Sequence, residues 1–470
     1  MPIVMKDSCV SFYKYIFVTI FYVLGGFASK ADVFGPLEFN GNSFKIIQET
    51  PATSTGLDAV YVAYDLSGLS INYTSGSSSP VEWLKYSNMG GGYAEPVVNI
   101  EYSGNLSTLL SPEPDMGYII KEGDRSYYFW LIDYSRHRFS AVSLSEASDQ
   151  ACGETVLNFQ GEAPPIHYYT INGRQETLGR GITVNYTTLE WDSERKFYTD
   201  KRETKELAYC NNEIVLSPPN YCSTTFILEG DKFLKTWKES QTVETPVITP
   251  FSTAVETEAV QEDRNQEDEE REPSNQINNG NEGLGGSAPS TIQFISYVTD
   301  AVVHYEWQIS TDEEFENIEY RITEQDLSYT FTEEGVKYVR FIGSNFNGSC
   351  ESYGEVYTVS IGASELLIPN AFSPNEDGVN DVWKVSYRSI LEFKCWIFDR
   401  HGHQIYHFED PEGGWDGKRN GRYVKPGVYY YVIQAKGSDG KEYKRSGDIN
   451  ILKSYVSGSG SSGGEGTEIE

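Results

Sequence analysis

The 470-residue sequence predicts an all-β chain of small sandwiches joined in series. Short runs of alternating apolar and polar residues recur along it, at the period of two that strands follow. Turn dipeptides punctuate those runs, among them Asn172-Gly173, Asn420-Gly421 and Asp439-Gly440, which favour two-residue hairpins. The chain also carries 34 tyrosines, 23 phenylalanines and 8 tryptophans. Aromatic residues suit a pleated, half-buried surface better than a helix.

Residues 1–31 read as a cleaved signal peptide. Lys6 and Lys14 supply the positive region, residues 15–27 the apolar one, and Ser29 and Ala31 small residues near a cleavage point. A first immunoglobulin-like module spans 32–149, with strands at 60–66 and 81–84 and Trp83 in its core. Residues 127–132 are apolar without interruption, as in a strand buried on both faces. A second such module spans 150–240, with strands at 155–159, 167–171, 182–186, 213–216 and 223–228 and one short helix at 231–238.

Residues 241–289 hold the acidic run Glu262 to Glu272 and Asn- and Gly-rich sequence. Such composition cannot bury enough apolar surface to offset chain entropy, so the segment reads as a disordered linker. A third immunoglobulin-like module follows at 290–362. Its Val303, Tyr305, Trp307 and Ile309 face one way, and His304, Glu306, Gln308 and Ser310 the other, which predicts a half-buried antiparallel strand. Modules recur at roughly the length of immunoglobulin-like domains. A flexible Gly/Ser-rich acidic tail, 454–470, ends the sequence.

There are 37 basic and 69 acidic residues, for a net charge of -32. Duplex nucleic acid is excluded as a partner, because binding it takes a basic surface that displaces counterions. Beyond the leader stand Cys152, Cys210, Cys222, Cys350 and Cys395, and an oxidising compartment permits disulfides while the odd count leaves a thiol over. Cys152–Cys222 is the favoured bridge, spanning most of the second module, with Cys210–Cys222 as its rival. Cys395, mid-strand between Lys394 and Trp396, reads as a buried thiol.

Residues 363–453 form a last small sandwich. Strands at 393–398, 428–433 and 447–452 are separated by turn signals, and Pro426-Gly427 starts one strand where proline removes no central hydrogen bond. The motif residues are Pro369, Asn370, Phe372, Ser373, Pro374, Asn375, Asp377, Gly378, Asn380 and Asp381, then Trp415, Asp416 and Gly417, then Pro426, Gly427 and Tyr429. In this order they resemble the gliding-motility-associated C-terminal domain, the type B sorting domain of type IX secretion. The resemblance implies a cargo that meets the type IX machinery and its outer-membrane receptor. Its destination would be outside, or on the outer surface of, a Gram-negative cell.

Asn375 to Asp381 alternates oxygen-bearing side chains about Gly378, like half a calcium loop, but Ser373 and Lys384 stand where a full loop needs acids. No cofactor is predicted, calcium being the single metal the pattern would suit. His401, His403 and His407 cluster around a turn without ligand spacing for zinc. No nucleophile elbow, zinc-protease helix or phosphate loop is present. The predicted function is non-enzymatic adhesion or gliding-associated binding, with an extracellular glycan or protein as ligand. A ligand-free spacer and a polysaccharide- or peptide-directed enzyme are the alternatives.

Overall fold

A computed structural model describes residues 37–41, 45–76, 81–261, 276–277 and 283–452. The predicted leader (1–31), the acidic run of the linker and the tail (454–470) lie outside the described residues. The chain divides into two compact units, one holding the residues up to Ser135 with Tyr168–Glu176, the other Arg136–His167 with the residues from Thr177 on.

The first unit is a two-sheet sandwich. One sheet orders Glu38–Asn40, Ser70–Thr74, Leu106–Leu110 and Ile100–Ser103. The other orders Ile46–Glu49, Ala59–Ala63, Arg125–Asp133, Met116–Glu122, Val81–Tyr86 and Glu95–Pro96. Ala59–Ala63 and Arg125–Asp133 run parallel, and Phe129 to Asp133 are buried on both faces. Trp83 fills the core, and its indole N–H donates across to Ser107 Oγ at 3.0 Å. Buried Glu122 accepts from Tyr73 (2.5 Å) and Ser75 (2.6 Å) and pairs with Arg125. That pairing is what lets a carboxylate stand inside.

The second unit contains three further sandwiches. The first of them pairs Ser140–Glu146, Thr155–Glu162 and Glu213–Leu216 against a sheet of Phe197–Leu207, Ile182–Asp192, Ile227–Gly230 and Gln241–Glu244. Ser140–Glu146 lies ahead of the expected module boundary at 149. Its hydrogen-bonded register with Thr155–Glu162 makes it part of this sandwich. The helix is Lys232–Thr236, capped by Asp231, whose carboxylate accepts from Leu234 N at 3.0 Å. Asp231 also pairs with fully buried Arg180 at 2.6 Å.

The expected linker 241–289 carries three strands where it is described. Gln241–Glu244 completes the preceding sheet, Val255–Gln261 pairs along Ser290–Val298, and Leu284–Gly286 runs parallel to Tyr357–Ile361. Val255 and Ala259 pack on the third core while glutamates between them face out. Composition hid that alternation. The third sandwich therefore begins near Val255. Its larger sheet carries Gly335–Ser344 between Tyr357–Ile361 and His304–Ser310, then Ile318–Ile322. Trp307 is fully buried, and its indole donates to Gln325 O at 3.0 Å.

Cys152 is bonded to Cys350, 198 residues away, with 5.3 Å between their Cα atoms, which overturns the expected Cys152–Cys222 bridge. Cys152 stands in the loop after Ser140–Glu146, beside Ser252 of the connecting segment, which accepts from Gly153 N at 3.0 Å. Cys222 stands instead beside Ile182–Asp192, its Sγ 3.8 Å from Thr187 O, as a free thiol like Cys210. The bridge joins two sandwiches rather than two sheets of one. In the chain-entropy picture, restricting so long a loop in the unfolded chain stabilises by about 5 kcal/mol.

Candidate functional site

The C-terminal sandwich is where the motif residues converge. Its main sheet orders Ala371–Phe372, Glu442–Ile451, Gly427–Gly437, Ile390–Phe398 and Gln404–Phe408. The long hairpin turns at Asp439-Gly440, where Gly440 takes φ +75°. Asn420 (φ 53°) and Gly421 (φ 74°) make the second predicted tight turn. Phe393, Cys395 and Ile397 alternate into the core while Lys394 points out, and burial pushes the Cys395 thiol up to about 12. That thiol is inert at neutral pH.

Several motif residues are structural. Phe372 and Trp415 are both buried, with ring centroids 5.5 Å apart, and Tyr429 meets Trp415 edge-on at 5.3 Å. Trp415 exchanges both main-chain hydrogen bonds with Trp383 (2.9 and 3.0 Å) and donates its indole N–H to Lys418 O. Asp416 accepts from Lys418 N at 3.0 Å, tightening the turn. Gly417 takes φ +75°, and a Cβ there would come within 2.8 Å of Pro374 Cγ, so Pro374 and Gly417 fix one another. Nearby, Trp383, which the sequence reading passed over, donates to Pro369 O at 2.8 Å, and Asn370 O accepts from Asn450 N at 2.9 Å. Trp383 is fully buried, and its signal was the apolar alternation with Val385 and Tyr387.

The acidic turn closes on itself. Asp381 Oδ1 accepts from Asn375 N (2.8 Å) and Glu376 N (2.7 Å), and Oδ2 from Gly378 N (2.7 Å). Burial pushes this carboxyl up, but those three donations outweigh it and hold it below the usual carboxylate range. Asp377 accepts from Val379 N, and Ser373 N donates to Asn380 O. With its oxygens turned onto backbone N–H groups, Asp381 serves the turn and offers little to a cation. Among the described residues no group of three or more His, Cys, Asp or Glu could hold a metal ion. His403 meets Asp399 at 3.1 Å and His407 meets Glu409 at 3.3 Å.

Pro369, Asn370, Asp377, Gly378, Asn380, Pro426 and Gly427 are exposed. A larger exposed feature lies on the sheet's outward face, where register places Phe398 beside Tyr430 and Trp396 beside Val432. Tyr430 is 47% exposed and Val428 45%, and the half-buried Trp396 packs on His407, ring centroids 5.8 Å apart. Five apolar side chains on one solvent face exceed the scattered singles of an ordinary surface. None of the five belongs to the motif.

Comparison with known proteins agrees with this architecture. A model described as fibronectin type III domain matches residues 143–245, and one described as CHU_C type IX secretion signal domain matches 366–451. No curated protein matches the chain. Among solved structures it is similar to three N-terminal domains of the bacteriophage RB49 highly immunogenic outer capsid protein. That likeness has 10% identity and a TM-score of 0.22, over 68% of this chain and 100% of the other. It is also similar to fibronectin(III)-like modules of CbhA from Clostridium thermocellum, at 10% identity and a TM-score of 0.17, over 44% and 100%. The chain is thus a series of immunoglobulin-like sandwiches, one of them a fibronectin type III domain, that ends in a type IX secretion signal domain.

Proposed function

We propose that this protein is a type IX secretion cargo, exported to the outer surface and working there as a non-enzymatic binding array for adhesion or gliding-associated contact. The match of residues 366–451 to the secretion signal carries the reading. A leader at 1–31 delivers the chain to the periplasm. The folded C-terminal sandwich then meets the machinery and its outer-membrane receptor through Trp396, Phe398, Val428, Tyr430 and Val432. That face supports the reading because the motif aromatics Phe372 and Trp415 are inside and cannot be touched without unfolding. The sandwiches ahead of the signal supply the surface that acts outside.

Deleting residues 366–451 tests the route. In a type-IX-competent host the shortened chain is expected to stay in the periplasm while the full chain reaches the surface or medium. Normal export of the shortened chain would refute the proposal. On the activity side, full chain incubated with polysaccharides and peptides is expected to release no product.

A further inference from the structure

On the third sandwich, the strand predicted to turn His304, Glu306, Gln308 and Ser310 to solvent does not leave them free. Gln308 is 3% exposed. Register sets Arg321, Gln308 and Arg340 in one row across three strands, and Glu306, Ile342 and Tyr353 in the next. Gln308 Nε2 donates to Glu306 Oε1 at 2.5 Å, and Arg340 Nε donates to Gln308 Oε1 at 2.9 Å. Arg321 Nη1 donates to the same Glu306 oxygen at 2.5 Å. Glu351 accepts from the Tyr353 hydroxyl at 2.7 Å. Both carboxylates on this face are thus engaged.

Arg340 is held differently. Its guanidinium carbon lies 3.9 Å from the Phe315 ring centroid and 5.3 Å from that of Tyr353. Phe315 is delivered by the loop 311–317, which Asp312 ties by accepting from Glu316 N and Asn317 N, each at 2.8 Å. Two rings, one buried and one 53% exposed, and a buried amide fix the arginine, while its two terminal nitrogens donate to no described residue. The group borders a concavity of about 520 Å³ lined by Glu306, Gln308, Phe315, Arg321, Arg340 and Tyr353, among others. That size suits a small ligand or the end of a larger one.

We infer that this concavity binds a carboxylate-bearing sugar at the end of a glycan, with Arg340 as the carboxylate fork and the exposed Tyr353 ring as the platform beneath the sugar. The guanidinium is gripped by rings and amide, so recognition falls to its open edge, where two coplanar N–H groups fit the two oxygens of a carboxylate. The flat, half-wet Tyr353 ring offers an apolar surface with a polar rim, which matches a sugar ring better than an extended peptide. The chain's net charge of -32 does not forbid the ligand. Surface charges more than about 8 Å away are largely screened at physiological salt. The inference rests on the reading of the upstream sandwiches as a binding array and names a ligand class for one of them.

Calorimetric titration of the full chain with oligogalacturonate, and with the same oligomer after carboxyl reduction, tests it. The acidic oligomer is expected to bind saturably, and the reduced one about tenfold or more weaker. Arg340→Lys keeps the charge and loses the fork, and is expected to weaken binding by about tenfold while circular dichroism shows the chain still folded at the titration temperature, its melting lowered only by the lost Gln308 hydrogen bond. Arg340→Gln is expected to abolish binding, and if it unfolds the sandwich, Arg340→Lys decides alone. Equal binding of both oligomers, no binding of either, or full binding by Arg340→Lys would overturn the inference. If cells displaying the chain still adhere to a surface in those cases, the array reading stands and this ligand alone falls.

Discussion

The third and the C-terminal sandwiches have the same inner construction and opposite outer faces. Both set tryptophan and alternating aliphatic residues inside, Trp307 with Ile309 in one and Trp383 with Val385 in the other. Outward, the third presents arginines, glutamates and a glutamine joined by hydrogen bonds, while the C-terminal one presents Trp396, Phe398, Val428, Tyr430 and Val432. The inner face makes the fold and is interchangeable in kind. The outer face is where they differ, and the ligand cleft and the docking surface proposed above rest on that difference. Their attachments differ as well. A disulfide ties the third sandwich to its predecessor. Its junction with the C-terminal one rests on buried Ser389, which accepts from Ala288 N at 3.1 Å and donates to Gly362 O at 2.6 Å.

The comparison breaks most severely if an inner residue proves to be a recognition residue. Trp415→Ala is expected to destabilise the C-terminal sandwich by about 3–5 kcal/mol, because it empties a fully buried site, and to stop export by unfolding the signal. Urea unfolding of the full chain measures the first effect and fractionation the second. A folded, stable variant that still fails export would move Trp415 from fold to contact. The outer face calls for the opposite pattern. Tyr430→Thr with Val432→Thr keeps strand propensity and is expected to change stability by less than about 1 kcal/mol. Export should fall about tenfold, on the scale of losing one anchor residue. Wild-type export by that pair would detach the patch from secretion.

The smallest effect concerns the turn that carries His401 and His403. Main-chain donation from His403, with that of His401 and the His403 ring, outweighs burial and holds Asp399 down to about 2. A folded value below the unfolded one means that the unfolded chain takes up the proton first. The stabilisation is therefore complete above about pH 4, the unfolded carboxylate range, and is lost as pH falls through about 2. Asp399→Asn is expected to flatten the acid limb in that window and to lower stability at neutral pH without changing its pH dependence there. Circular dichroism melts from pH 5 down to pH 2 would check it, and an unchanged limb would assign the acid sensitivity elsewhere.

Particular segments explain what could be read in the chain and what could not. Tyr127 to Ile132 declared a buried strand because only apolar residues suit a strand packed on two faces. Phe197–Leu207 escaped notice, since Asp200, Lys201, Arg202 and Glu203 look like a solvated loop, yet it pairs along all of Ile182–Asp192 at a sheet edge. Charged edges discourage unwanted pairing, which is why the edge strand resembles what it is not. Val255–Gln261 was lost in the same way, its small apolar residues masked by neighbouring glutamates. The motif at 369–429 was legible as a set, but the burial of Phe372 and Trp415 and the exposure of Tyr430 were not.

By itself the sequence determined the class of fold, the tight turns and the presence of a secretion signal. Those depend on local periodicity, backbone preference and a compact motif, all written within a few residues of one another. Tertiary structure alone decided that Cys152 meets Cys350, that Arg340 lies between Phe315 and Tyr353, and that Trp396 shares a face with Val432. Each is a meeting of segments far apart along the chain. Strand register and sandwich packing fix such meetings, and local spacing carries no record of either.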